Sequence, residues 1–153
     1  MKSKYLMLLM LLIALWAAFL LIFGIRYMLS TSGQRLDTKA AREVATSVTS
    51  YHVIKGHFPA SGPEEYDIDL ETDARFMRML SATTSFSLEG RSDIKDGALV
   101  DQRGKTYRVR IDTDDDGEVH CPITNEPIPG KVLVWSAGKD KLFETWSDNG
   151  KSW

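Results

Sequence analysis

The feature that most constrains this chain is an uncharged, apolar segment close to its N-terminus. It covers residues 5–25, ends at Arg26, and consists mainly of Leu, Met, Ile, Ala and Phe. At about 1.5 Å of rise per residue, a helix of this length crosses the roughly 30 Å hydrocarbon core of a bilayer. The segment therefore predicts one transmembrane helix, within an anchor that covers residues 1–29.

A cleaved signal peptide is the alternative to a retained anchor. The apolar segment is longer than the apolar core of a signal peptide, and the small-residue site that follows it, Ser30-Thr31-Ser32, is poor. Both features favour a retained anchor. Lys2 and Lys4 favour a cytoplasmic N-terminus, although the basic residues beyond the segment reduce the charge asymmetry. We therefore expect a single-pass protein with its C-terminal part outside the cytoplasm.

Residues 30–37 are predicted to form a linker or kink, because the stretch from Ser30 to Gly33 is poor in helix formers. Asp37 or Thr38 is then expected to cap a second helix that ends near Lys55. The apolar positions of this helix recur at the spacing of one amphipathic face. They are Ala41, Val44, Ala45, Val48, Tyr51 and Val53 or Ile54.

The remaining pattern predicts a short helix and then strands. The helix covers Thr72 to Leu80, with Thr72 as its cap. The stretches 85–88 and 106–111 alternate between polar and apolar residues, and residues 131–135 form the last clear strand. We therefore expect an α+β protein, in which an amphipathic helix packs on a small antiparallel sheet. Its globular domain covers residues 38–153 and has a loop-rich C-terminus.

Composition excludes several classes of function. Asp and Glu outnumber Lys and Arg by 21 to 19, and no basic run occurs, so nucleic acid is not an expected partner. The single cysteine, Cys121, cannot form an intrachain disulfide. Nucleophile elbows, activated-cysteine signatures and phosphate-binding glycine loops are absent from the sequence. We expect neither enzymatic activity nor a small-molecule substrate.

Three motifs in order resemble the pseudopilins of type II secretion systems, especially the major pseudopilin. Gly56-His57-Phe58-Pro59 is similar to the Gly-aromatic-Pro exit of that family's amphipathic helix. Asp101–Tyr107 is similar to the family's Asp-Pro-Trp-Gly-x-x-Tyr turn, with Gln102 and Arg103 in place of Pro and Trp. Trp135–Asp140 is similar to the Ser-x-Gly-x-Asp entry into the C-terminal loop. The resemblance covers roughly residues 38–153.

The N-terminus departs from the family pattern. Prepilins carry a basic leader, a Gly before the cleavage site and a Glu within the apolar helix. Here no Gly precedes the apolar segment, the segment contains no Glu, and Gly24 lies at its far end. We therefore expect a chain that lacks an ordinary prepilin leader, and the carboxylate that pairs neighbouring subunits in a pilus core is missing.

The resemblance implies a calcium ion in the C-terminal loop. Calcium binds six to eight oxygens, which carboxylates and backbone carbonyls supply. The candidate ligands are Asp140, Glu144 and Asp148. The loop also contains Leu142, Phe143, Trp146 and Trp153, which predict that it is pinned to the sheet by apolar burial.

A weaker candidate metal site is formed by Asp112, Asp114 and Asp116. Residues 112–117 match the opening of an EF-hand loop, but Ile123 occupies the twelfth position, where a Glu is required. A solvated hairpin turn is the favoured interpretation.

The resemblance implies a pilin-like fold and a non-catalytic assembly subunit. Its expected partners are the membrane and other pseudopilin or secretion-system subunits, with the globular domain on the periplasmic side of a bacterial inner membrane. The alternative is a bitopic binding module of pilin-like fold that is not incorporated in a filament.

Overall fold

The computed structural model describes residues 2–59, 68–114 and 116–153. Its first element is one α-helix, α1, from Lys2 to Lys55. The helix continues through Ser30–Gly33, so these residues are helical rather than a linker, and neither Asp37 nor Thr38 caps a helix. One glycine costs a helix about 1 kcal/mol relative to alanine, and the helix formers on both sides outweigh this. Gly56 follows with a φ of 75° and ends the helix as expected.

The chain divides into two compact units, residues 1–33 and residues 34–153, and we call the second unit the head. From Leu12 onward, α1 contains an 18-residue window with a mean hydropathy of 2.1, and none of this window is buried within the protein. By length and composition, α1 can therefore cross a membrane.

The other elements of the head are short. In chain order they are β1 (Ile68–Glu71), α2 (Ala74–Thr83), β2 (Ile94–Lys95), β3 (Ala98–Leu99), β4 (Arg108–Ile111), β5 (Glu118–His120), β6 (Pro127–Pro129) and β7 (Val132–Trp135). An antiparallel sheet has the order β1-β4-β7, with Val109 opposite both Leu70 and Val134. Strands β2 and β3 pair with each other, as do β5 and β6. The expected mixture of helix and antiparallel sheet is confirmed.

Helix α2 begins two residues later than its predicted start. Asp73 is the N-cap, and its Oδ1 accepts a hydrogen bond from the backbone N–H of Phe76 at 2.7 Å. Thr72 is fully buried instead. Its hydroxyl donates to the carbonyl of Leu99 at 2.8 Å and accepts from the N–H of Tyr107 at 2.9 Å. Thr72 therefore joins two segments of the head rather than capping a helix.

The two clearest strand predictions are confirmed as β4 and β7, but the stretch 85–88 is not a strand. There, Thr84 Oγ1 accepts a hydrogen bond from the N–H of Phe86, and Ser87 Oγ accepts one from the N–H of Glu89. Side chains that bond to the local backbone in this way compete with a strand ladder.

The main sheet is buried on both faces at β7. On one face, Val134 and Val109 join a core with Val44 and Val48 of α1 and Met77 of α2. The predicted apolar face of α1 is buried as far as Tyr51, whereas Val53 and Ile54 are exposed. The opposite face of the sheet carries a second cluster, which places the C-terminal loop. It consists of Val119, Leu133 and Trp135, with Ile128, Phe143 and Trp146 against it.

Candidate functional site

The C-terminal loop leaves β7 and returns to it. Ser136 N donates a hydrogen bond to the carbonyl of Gly150 at 2.9 Å, and Ser152 N donates to that of Val134 at 3.0 Å. Trp135 and Lys151 form an antiparallel bridge between these contacts. Residues 136–150 are therefore closed at their base, which brings the two halves of the loop together.

Aromatic side chains hold one side of this loop on the sheet, as the sequence predicts. The ring centroid of Trp146 lies 6.3 Å from that of Trp135 and 5.2 Å from that of Trp153, which it meets edge to face. The guanidinium of Arg108 lies 4.3 Å from the ring centroid of Phe143. Such contacts add to the stabilisation from apolar burial. Two of the predicted residues remain exposed, Leu142 at 51% and Trp153 at 40%.

The candidate ligands Asp140 and Asp148 lie on the polar side of the loop. Asp148 Oδ2 accepts hydrogen bonds from the N–H groups of Lys139 at 2.7 Å and of Asp140 at 3.2 Å. Asp140 Oδ2 accepts from the Thr145 hydroxyl at 2.5 Å, and its Oδ1 accepts from Leu142 N at 2.9 Å. These bonds lower the pKa of the Asp140 carboxyl, and the Thr145 hydroxyl has the largest effect. Both carboxylates order the loop backbone.

Two oxygens beside Gly138 lack hydrogen-bond partners. Asp148 Oδ1 and Asn149 Oδ1 are both buried, and neither accepts a hydrogen bond from the described residues. A Cβ on Gly138 would lie 2.9 Å from the first and 2.3 Å from the second, so only glycine leaves room for them. Buried oxygens without donors carry a desolvation cost, which a bound cation offsets. Oxygen donors of this kind suit calcium, and Asp148 and Asn149 are the residues that could hold such an ion.

The predicted set of Asp140, Glu144 and Asp148 does not form a compact triad. Glu144 is exposed on the loop. Among the described residues, the group of three acidic side chains whose ligand atoms lie within 4.8 Å of one another is Asp112, Asp114 and Asp116. Asn149 was missed by sequence reasoning, although it directly follows Asp148.

The cluster at residues 112–117 is a turn between two different sheets, because β4 pairs with β1 and β7 whereas β5 pairs with β6. It is therefore not the turn of a hairpin. Asp112 is buried, and its Oδ2 accepts a hydrogen bond from Gly117 N at 3.0 Å. Asp116 Oδ1 accepts from Glu118 N at 2.8 Å. Asp115 lies outside the described residues. The carboxylates of Asp112 and Asp116 therefore stabilise the backbone of the turn.

A cleft of about 280 Å³ lies beside α1 in the head. Arg91 lines it and pairs with Glu43 at 2.7 Å and with Asp93 at 2.7 Å. The hydrogen bonds that Arg91 donates to the Asp93 carboxylate raise the pKa of its guanidinium, and the bond that it donates to Glu43 adds to this effect. The charged groups of the cleft thus stabilise the packing of the 90–93 segment on α1.

Comparisons of this chain with protein-family models, with curated proteins and with solved structures give no match. The pseudopilin resemblance accordingly rests on the sequence motifs.

Proposed function

We propose that this protein is a non-catalytic assembly subunit of a secretion or pilus apparatus, similar to a pseudopilin. The observation that carries the proposal is the single helix α1. Its N-terminal part is apolar and unburied, whereas its later turns supply Ala41, Val44 and Val48 to the core of the head. In this proposal, one helix is both the membrane anchor and the element on which the core of the head packs.

The mechanism in this proposal is packing rather than chemistry. The apolar part of α1 lies in the bacterial inner membrane, where neighbouring helices associate through van der Waals contact. Lys2 and Lys4 hold the N-terminus on the cytoplasmic side. The head then lies in the periplasm and provides contacts to other subunits.

The C-terminal loop adds a calcium site to this proposal. Asp148 and Asn149 would hold the ion beside Gly138, and Asp140 would keep the loop backbone in place. A divalent ion would neutralise the Asp148 carboxylate and satisfy both unpartnered oxygens. The loop would then be held by the ion on its polar side and by Phe143 and Trp146 on its apolar side.

Thermal unfolding of the full chain in detergent micelles tests the calcium site. We expect millimolar calcium to raise the melting temperature and a chelator to reverse this, because a ligand that binds only the folded state stabilises it. Asp148→Asn should abolish the shift, and Asp114→Asn should retain it. A shift that survives in Asp148→Asn, or no shift in the wild type, would refute the site.

Affinity isolation from native membranes, after cross-linking in cells, tests the assembly role. Adducts with secretion-system or pilus subunits are the expected result. The alternative is a bitopic binding module outside any filament, which the lack of a Glu in the apolar segment favours. Consistent absence of such subunits among the adducts would favour this alternative. Mass spectrometry of the same material identifies the N-terminal residue and so shows whether a prepilin peptidase processes the chain.

A further inference from the structure

Two buried carboxyl groups lie in the head where the 101–107 turn packs on α1. Asp37 of α1 is 1% exposed, and Asp101, in the turn that precedes β4, is 3% exposed. The C-terminal segment packs on the same point, since a Cβ on Gly150 would lie 2.6 Å from the main-chain carbon of Asp37. Three segments that are distant in sequence therefore converge on this pair.

Each carboxyl group has one oxygen that is hydrogen bonded and one that is not. Asp37 Oδ1 accepts from the N–H of Gln102 at 3.1 Å and from the hydroxyl of Tyr107 at 3.2 Å. Asp101 Oδ1 accepts from Arg103 N at 2.8 Å and from Lys105 N at 3.0 Å. Among the described residues, neither Asp37 Oδ2 nor Asp101 Oδ2 has a hydrogen-bond partner, and both atoms are buried.

The charge around the pair is not balanced. Among the described residues, Arg103 is the cation paired with Asp37, and its Nη1 lies 3.9 Å from Asp37 Oδ2. That distance is too long for a hydrogen bond, so the guanidinium leaves Asp37 Oδ2 without a donor. Two ionised carboxylates in such a site repel each other, and a bound proton removes this repulsion.

We propose that Asp37 and Asp101 form a proton-binding site that holds the 101–107 turn and the C-terminal segment on α1. While one proton is bound, the pair carries a single negative charge that faces Arg103. Release of the proton leaves two buried negative charges and weakens the contact between the three segments. The stability of the head should therefore depend on the protonation of this pair.

The titratable groups around the pair agree with this assignment. Burial raises the pKa of Asp37, and the charge of Asp101 adds to the increase, while Gln102 N–H, Tyr107 and Arg103 oppose it. Burial also raises the pKa of the Tyr107 hydroxyl, and the negative charges of Asp37, Asp101 and Asp93 raise it further. Tyr107 therefore stays protonated and can donate its hydrogen bond to Asp37. The C-terminal segment contributes the uncharged backbone of Gly150.

The sign of the pH effect follows from the direction of the shift. A carboxyl whose pKa is higher in the folded state stabilises that state fully below its unfolded pKa and loses this contribution as pH rises. For Asp37, the folding equilibrium constant should fall by about tenfold per pH unit from 3.8 up to its folded-state pKa. Above that value the loss is complete.

Thermal and urea unfolding of the full chain in detergent micelles, from pH 4 to pH 9, tests the proposal. We expect Asp37→Asn to flatten the pH dependence and to unfold at a higher temperature than the wild type at pH 8. Exposed Glu89→Gln is the matched control and should follow the wild type. An unchanged slope in Asp37→Asn, or a lower melting temperature at every pH, would overturn the assignment.

A second measurement applies even if Asp37→Asn does not fold. The carboxyl ¹³C resonance of Asp37 in the wild-type chain should titrate above 3.8, and Asp101→Asn should move this titration to lower pH. The protection factors of the Gln102 and Arg103 amides, taken relative to the intrinsic exchange rate at each pH, should fall above the same transition. An Asp37 resonance that titrates at or below 3.8 would contradict the proposal.

Discussion

Replacing Gly150 by alanine should destabilise the head, because the C-terminal segment passes directly over the backbone of α1. The added Cβ would lie 2.6 Å from three atoms: the main-chain carbon and Cβ of Asp37 and the backbone nitrogen of Thr38. Ordinary contacts between carbon atoms are about 3.5–4.0 Å, so a movement of roughly 1 Å is required. Main-chain atoms of a helix cannot rotate aside, and the C-terminal segment must therefore move.

The size of the effect follows from the contacts that this movement disturbs. Overpacking costs about 1–3 kcal/mol. The bond from Gly150 N to Ser136 Oγ is 2.8 Å long, and its loss would add roughly 0.5–1.5 kcal/mol. Alanine also lowers the conformational entropy of the unfolded chain, which stabilises the folded state by about 0.4–1 kcal/mol. We expect a net loss of about 0.5–4 kcal/mol in the free energy of unfolding.

Urea unfolding of the full chain in micelles, followed by tryptophan fluorescence, measures this loss. Trp135, Trp146 and Trp153 lie around the moved segment, so the fluorescence of the folded state should change as well. Gly90→Ala is the matched control, since a Cβ there meets no atom within 4 Å, although its φ of 73° carries strain of its own. A Gly150→Ala protein as stable as the wild type would refute the packing described for the C-terminal segment.

Three further predictions concern the core and the loop. Thr72→Val should lower the free energy of unfolding by about 1–3 kcal/mol in urea titrations, because the N–H of Tyr107 loses its buried acceptor; an unchanged midpoint would contradict this role. Met77→Ala should cost about 2–5 kcal/mol in the same assay, since its side chain is fully buried, and a smaller loss would argue against the packing of α2. The pKa of Asp140 is lowered, so its stabilising effect is present above pH 3.8 and is lost as pH falls through its folded-state pKa. Asp140→Asn should therefore reduce the loss of stability between neutral and acid pH, and Thr145→Ala should do so in part.

The strongest periodic signals of the sequence predicted the framework of the fold. The apolar segment at residues 5–25 gave the potential membrane helix, and the spacing of Ala41, Val44 and Val48 gave the core face of α1. Alternation predicted β4 and β7. These signals are local, and tertiary contacts reinforce them.

Features that depend on contacts between residues distant in sequence could not be predicted from local periodicity. Strands β2 and β3 have two residues each, which is too short for a period to emerge. Asp37 lies four residues before Ala41 and thus on the core face of α1, but a polar residue there also fits a helix cap. Only the pairing of Asp37 with Tyr107, 70 positions away, distinguishes the two.

The candidate calcium site shows the same limit. The acidic residues of the C-terminal loop were evident in the sequence, but their spacing did not reveal which oxygens converge. Glu144 is exposed, whereas Asn149 Oδ1 lies beside Asp148 Oδ1 at Gly138. Convergence depends on how the loop closes on β7, which is a property of the whole head.

Site-specific photo-cross-linking within the apolar part of α1 tests the assembly proposal most directly. A photoreactive phenylalanine analogue at Phe19, whose side chain is 65% exposed, would report on its neighbours in native membranes. The same analogue at exposed Leu142 of the head serves as the comparison position. The proposal predicts protein adducts at Phe19 that contain a second copy of this chain or another single-span assembly subunit. Photolysis that leaves the chain as a monomer at Phe19, in membranes where the assembly machinery is present, would contradict it.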